Sequence, residues 1–354
     1  MDFHAINREE GRLDIVVFSR DRNSELLNSF GVWRNQPFRF IVLHNSKREL
    51  PQNLIPKNIT YLYLPGVSYG ERAGMAPTFI KSEFAAILAD DEILLESGVC
   101  IMLAKLKSNL ELASIGGKVL GIHKYAGVTT GSFAYRNMYG YENFEIDVAE
   151  RLRNHLERPI KGEMPRASMY RIMRSEVMNS VLELFSKLTF VESPYIYEVA
   201  GEFAVAASGQ TTTVEELYWI RNWQNRMVQH TNWDRSLSFT DWWIDSGNIH
   251  KKNSVVELLS EYAKIGLSET QRILNIYMAR RVLVEEKGNK QVGNLWHALS
   301  VIKQKLFASS ELINKPDEVL QILEKEVLGE QNMEKEVIAR ICQQFLNETR
   351  KAVI

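Results

Sequence analysis

FAAILADDEILLESG (residues 84–98) sets a short apolar run against three consecutive acids, Asp90, Asp91 and Glu92. Carboxylates at the end of a buried segment need a counter-charge or a hydrogen-bonding partner, because desolvated charge is expensive. The apolar part, FAAILA, fits a buried strand or the end of a buried helix; periodicity does not separate the two over so few residues. The acids have three readings. They form a solvated turn whose aspartate caps a helix, or they offer hard oxygen ligands to magnesium or manganese, or one acts as a general base.

The flanking sequence bears on the choice. LDIVVF (13–18), FRFIVLHNS (38–46) and ITYLYLPG (59–66) read as strands. Between the first two, Leu26, Leu27 and Phe30 recur at helical spacing, with Asn23 or Ser24 as the cap and Gly31 as the stop. Strand, helix, strand, turn, strand predicts an α/β sandwich with a parallel sheet. In such sheets ligands bind beyond the carboxyl ends of the strands, which favours the metal reading of the acids. A divalent ion there would neutralise a diphosphate as its bond breaks.

Pro77 suggests a helix beginning at residues 77–83, and Ser97 predicts one running to about Asn109, before a strand near ASIGGKVLGIH. Residues 125–166 read as irregular with a short helix near 148–156. Residues 168–188 pass from strand to amphipathic helix. A second helix starts at Ser193 and Pro194 and ends at Gly209, and TTTVEELYWIRNW is strand or helix. From Ser246 onward the pattern is helical. The expected organisation is therefore a catalytic domain over 1–245 and a helical domain over 246–354.

Composition narrows the partners. The 354 residues carry 43 Lys and Arg against 44 Asp and Glu, a net charge of −1, so no nucleic acid partner is expected without a local basic patch. Two distant cysteines, Cys100 and Cys342, predict neither a disulfide framework nor a zinc site and fit a reducing, cytoplasmic setting. No apolar run reaches membrane-spanning length, and the mixed charges of the C-terminal helices leave peripheral membrane association and a homo-oligomer open.

The segments LDIVVFSRDRNSELLNSF, FRFIVLHNS, AAILADDEILLESGVCIMLAKLKSN, ASMYRIMRSEVM and YEVAGEFAVAASGQTTTVEELYWIRNW together resemble bacterial glycosyltransferases of the GT-A fold. The likeness is to a family-2-like group marked by an Ala-Asp-Asp-Asp run, and it covers roughly residues 12 to 225. It implies a three-layer αβα sandwich with a mostly parallel central sheet and a nucleotide-sugar donor, a UDP- or GDP-sugar. The acceptor would be a hydroxyl of a glycan or lipid-linked molecule, the outcome inversion and the cofactor Mn2+ or Mg2+. Ser19, Arg20 and Asp21 match the loop that seats the nucleotide. Asp90 and Asp91 match the donor contacts, with Asp91 and Glu92 the metal ligands. Two departures stand out: Glu92 where the pattern has Asp, and RIMR where it has a basic dipeptide.

Inversion also needs a base. Glu198 and Glu202 lie four apart and would share a helix face, and Asp241 precedes Trp242 and Trp243. Glu198 matches the acidic position of the resembling segment; an exposed helix start is the plain alternative. Trp219, Trp223, Trp233, Trp242 and Trp243 offer sugar-stacking surfaces or a core between domains, and Arg221, Arg226 and Arg235 offer anion contacts. His123, His155, His230 and His250 show no metal-ligand spacing. Two rival functions remain. A sugar-phosphate nucleotidyltransferase would want a Gly- and Lys-rich opening loop that SRDRNSE lacks, and a non-catalytic interaction protein would keep a degenerate transferase fold.

Overall fold

Alternate residues of the first, second and fourth strands point to opposite faces of one sheet, and both sets are apolar. Leu13, Ile15, Val17, Phe40, Val42, Phe84 and Ala86 enter one core; Val16, Ile41, Leu43, Ala85 and Ile87 enter the other. A sheet buried on both faces must carry helices on both, and the result is a three-layer α/β sandwich. The computed structural model describes residues 13–125, 128–158, 167–191, 193–222, 242–243 and 245–288.

In chain order the elements are β1 (Leu13–Arg20), α1 (Asn23–Trp33), β2 (Arg39–Asn45), β3 (Ile59–Tyr63), α2 (Tyr69–Met75), β4 (Phe84–Leu88), β5 (Ile93–Leu94) and α3 (Glu96–Ser108). Then come β6 (Leu112–Tyr125), β7 (Val128–Ala134), β8 (Glu142–Asn143), α4 (Val148–Leu152), β9 (Ile172–Arg174), α5 (Ser175–Lys187) and α6 (Pro194–Ser208). β10 (Gln210–Asn222), α7 (Ile249–Ala263) and α8 (Leu267–Gly288) complete the described chain. The sheet runs β3-β2-β1-β4-β9-β6-β10-β5, with β7 paired to β6 and β8 to β10. β3, β2, β1 and β4 are parallel, β9 reverses direction, and β6 and β10 form a second parallel pair. Parallel ladders therefore hold most of the paired residues, as expected.

Helices α1 and α3 cover one face through Leu26, Phe30, Trp33, Val99, Met102 and Leu106. The other face lies under α2, α5 and α6, and α7 and α8 add Val255, Leu259, Ile273 and Tyr277 to that same core, beside Trp242 and Trp243. No helix among the described residues is long and apolar enough to cross a membrane.

Three local expectations need correction. Gly31 does not stop α1, which continues to Trp33 because that indole is buried and stacks on Phe40 at 4.7 Å. The helix expected at 77–83 begins earlier, at a Ser68–Glu71 capping box, and only a 3-10 turn (Ala76–Phe79) follows Met75. Within α2, Gly70 and Gly74 lie against α5, where a Cβ would meet Phe185 O and Ser186 Cβ at 2.9 Å each. The stretch after Tyr125 is not irregular at its start: Val128–Ala134 pairs back along β6 as a hairpin.

Candidate functional site

The carboxyl ends of β1, β2 and β4 lie side by side, and the acidic run leaves β4 there. Its backbone is held from α1: Ser29 Oγ donates to Asp90 O at 2.8 Å and Trp33 Nε1 to Glu92 O at 3.1 Å. Beneath, the buried Arg72 Nη1 donates to Ser19 O at 2.9 Å and Leu43 O at 2.7 Å, stitching the ends of β1 and β2 together.

The three acids meet different partners. Asp90 is buried; Ser19 Oγ donates to its Oδ2 at 2.7 Å and Arg22 Nη1 pairs with its Oδ1 at 2.7 Å. Arg22 Nη2 continues to Asp91 Oδ2 at 2.7 Å, so a single guanidinium bridges two carboxylates. Glu92 turns the other way, toward β10. Trp219 Nε1 donates to its Oε2 at 2.8 Å, and Arg221 Nε lies 3.3 Å from its Oε1. Burial pushes Glu92 up to about 8, aided by the Asp91 charge and opposed by Arg221 and the Trp219 N–H. Asp90 is likewise pushed up to about 6 by burial, against the pull of Arg22 and Ser19. Desolvation outweighs the attractive contacts at both positions.

Beside Glu92 lies an aromatic floor. Trp219 stacks on Tyr135 at 5.8 Å and on Tyr170 at 5.0 Å, and Arg221 sits 5.5 Å from the Tyr135 centroid and 5.8 Å from that of Trp219. Tyr135 adopts a left-handed backbone (φ 52°) to bring its ring there. The Tyr170 phenol stays protonated well above its ordinary value, through burial first and then the charges of Glu92, Glu198 and Asp91. Glu198, exposed on α6, also acts on the Tyr69 phenol. Tyr170 thus lies within electrostatic reach of both the acidic run and Glu198.

The expected donor residues divide into two sets. Ser19 and Asp90 are buried braces. Arg20 and Asp21 form the accessible rim, 3.9 Å apart, with Asp21 in a left-handed turn (φ 51°) whose N–H donates to Asn45 O at 3.0 Å. Asp91 is the least buried of the three acids, its side chain 10% exposed. Glu202 differs from Glu198 in burial: Glu198 is exposed on α6, and Glu202, one turn on, is buried. Its Oε2 is 2.9 Å from His155 Nε2, its Oε1 accepts from Ser168 N at 2.9 Å, and Tyr141 OH meets His155 Nδ1 at 2.8 Å. Burial opposes its ionisation, yet His155 and the Ser168 N–H more than offset it and hold Glu202 below the ordinary carboxylate range. The loop at 168–170 and the π turn at Arg153–Glu157 cover that part of α6, so Glu202 is a brace and not a base. Asp241, with Trp223, Trp233, Arg226 and Arg235, lies outside the described residues.

The resemblance implies Mn2+ or Mg2+ on Asp91 and Glu92, and these side chains do not fit that role. Both Glu92 oxygens are engaged by β10, and Asp91 is tied to Arg22. Among the described residues no three His, Cys, Asp or Glu side chains converge as a metal site. Arg22 and Arg221 supply the counter-charge, and neither is adjacent in sequence to the acids. Tyr170 and the Glu92-facing role of Trp219 also lay beyond sequence reasoning, since only the fold brings 92, 135, 170 and 219 together.

No family model and no curated protein matches the chain. Among solved structures, S. aureus TarS 1–349 in complex with UDP-GlcNAc aligns over 89% of this chain and 88% of that one, at 11% identity and a TM-score of 0.53. TarS 1–349 alone aligns over the same shares at 13% identity and a TM-score of 0.49. The likeness is one of fold: this chain has a GT-A-like mixed α/β architecture with a mostly parallel central sheet.

Proposed function

We propose that this protein transfers a hexosyl group from a UDP- or GDP-sugar to a hydroxyl of a glycan or lipid-linked acceptor, with inversion at the anomeric carbon. The observation that carries the reading is the acidic run at the carboxyl ends of the parallel strands of a GT-A-like fold. Asp90, Asp91 and Glu92 leave β4 there, and the rings of Tyr135, Trp219 and Tyr170 stack beside Glu92. Trp219 is buried within the stack, and the partly exposed ring of Tyr135 is the one that can meet the apolar face of a sugar. The likeness to TarS, crystallised with UDP-GlcNAc, supports the donor class at the level of fold.

In this reading Arg20, Asp21 and Asp91 face the donor, while Ser19, Asp90 and Arg72 fix the loop beneath it. Glu198 removes the proton from the acceptor hydroxyl. The acceptor oxygen bonds to the anomeric carbon as the bond to the diphosphate breaks, and the nucleoside diphosphate leaves. Accessibility suits Glu198 to this task, because an exchangeable proton must return to solvent after each cycle.

The test is release of UDP or GDP from a panel of UDP- and GDP-sugars with mixed glycan acceptors. Wild type is expected to turn over. Glu198→Gln is expected to lose about 10²- to 10⁴-fold in kcat with little change in KM and no change in melting temperature. Equal kcat in both proteins removes Glu198 from the chemistry, and nucleotide release from no donor removes the transferase reading.

A further inference from the structure

Resting on the donor-site reading above, we infer that the diphosphate of the donor is met by Arg221, in a site that works without a divalent cation. Three observations lead there. The first is the prior engagement of the acids. Arg22 spans Asp90 and Asp91 with two contacts of 2.7 Å, and Glu92 faces Trp219 and Arg221, so a cation would have to displace an arginine from its partners. Magnesium demands near-ideal octahedral geometry and gives up its waters reluctantly, and a guanidinium already in place is a strong competitor for the same oxygens.

The second is the state of Arg221 itself. It stands at the carboxyl end of β10, its side chain 33% exposed, whereas Arg22 is 13% exposed. Its contact with Glu92 uses Nε alone, and its Nη fork has no ion pair among the described residues. A planar guanidinium with two terminal nitrogens matches a phosphate in a bidentate manner. The third is its rigidity. The Tyr135 and Trp219 rings lie 5.5 and 5.8 Å from its carbon, so its orientation is set before any ligand arrives and little entropy is lost on binding.

Charge supports the assignment. The carboxyl ends of β1 and β4 hold three acids and Arg22, and a diphosphate entering there meets negative charge unless a cation intervenes. Arg221 stands on the far side of Glu92, next to the aromatic floor proposed to take the sugar.

The experiment measures binding of UDP, GDP, UMP, GMP and inorganic pyrophosphate by titration calorimetry on the full chain, once in EDTA and once in millimolar Mn2+ or Mg2+. The wild-type dissociation constant for UDP or GDP is expected to differ by no more than about twofold between the two conditions, with pyrophosphate competing in EDTA. Arg221→Gln is expected to weaken the diphosphates by about tenfold or more and the monophosphates far less, with Arg221→Lys intermediate. Diphosphate binding that appears only with the metal overturns the inference and leaves the donor site standing. A folded Arg221→Gln that binds like wild type overturns it also. Should neither UDP nor GDP bind in either condition, the donor-site reading fails and this inference with it. If Arg221→Gln does not fold, the wild-type comparison in EDTA and metal decides alone.

Discussion

Replacing Glu92 by Gln isolates the protonation of a carboxyl that burial pushes from an ordinary 4.5 to about 8. The amide keeps an oxygen that can accept from Trp219 Nε1, so shape and the main hydrogen bond survive while the charge goes. A carboxyl with a raised folded value binds its proton more tightly in the native than in the unfolded state. Its contribution is therefore fully present below 4.5 and is withdrawn as pH climbs through about 8. Between those limits each pH unit removes about 1.4 kcal/mol, so wild type should lose on the order of 3 to 4 kcal/mol from pH 5 to pH 8 through this group. Glu92→Gln lacks the group and should lack that slope. Urea unfolding followed by tryptophan fluorescence, run on both proteins from pH 5 to pH 8, measures the difference while other titrations largely cancel. The gap should widen in favour of Glu92→Gln with rising pH. Parallel stability curves would refute the reasoning, because they mean that Arg221 and Trp219 keep Glu92 ionised in the fold.

Two further changes test the frame around the site. Glu202→Ala should cost about 3 kcal/mol in urea unfolding at pH 7, since it strips the buried His155 and the Ser168 N–H of their acceptor. Because Glu202 is held below its ordinary range, its stabilisation is present at neutral pH and fades as pH falls through its folded value, so Glu202→Gln should flatten the acid limb of the stability profile. Gly98→Ala places a Cβ 2.3 Å from Leu217 O, where α3 starts against β10. Neither backbone can give way, so about 3 kcal/mol or more of destabilisation is expected, read as a drop in denaturation midpoint. A wild-type midpoint would mean that α3 stands further from β10 than described.

Much of the frame was legible because it rests on local pattern. β1, β2 and β3 announce themselves by apolar runs closed with polar or Pro-Gly turns, and α6 by Ser193, Pro194 and Gly209. That the acidic run needs partners was legible for a related reason: charge against an apolar strand demands them. The partners themselves were not. Arg22 reaches the acids across 69 residues and Trp219 across 127, and neither spacing leaves a trace in sequence. Glu202 was misread because helical spacing puts it on one face with Glu198 but says nothing of the loop at Ser168 that covers it. α2 escaped notice because two of its seven residues are glycines, placed for close approach to α5 and not for helix propensity. β7 escaped because its Thr- and Gly-rich run lacks the apolar alternation that marks a strand.

The Trp219–Glu92 hydrogen bond also sets a timetable for the growing chain. Its two ends are separated by 127 residues, and closing a loop of that length costs about 4 kcal/mol of chain entropy before any contact offsets it. Strands β1 to β4 can pair as soon as they leave the ribosome, since they and the helices between them are near neighbours in sequence. Glu92 emerges with them but has no donor from β10 until residues 219–221 are made, and until then its carboxylate stays hydrated and charged. Desolvation of the acidic run is therefore a late event in synthesis, coupled to the docking of β10 beside β6 and β5. The same strand that joins β6 to β5 brings Glu92 its last partners.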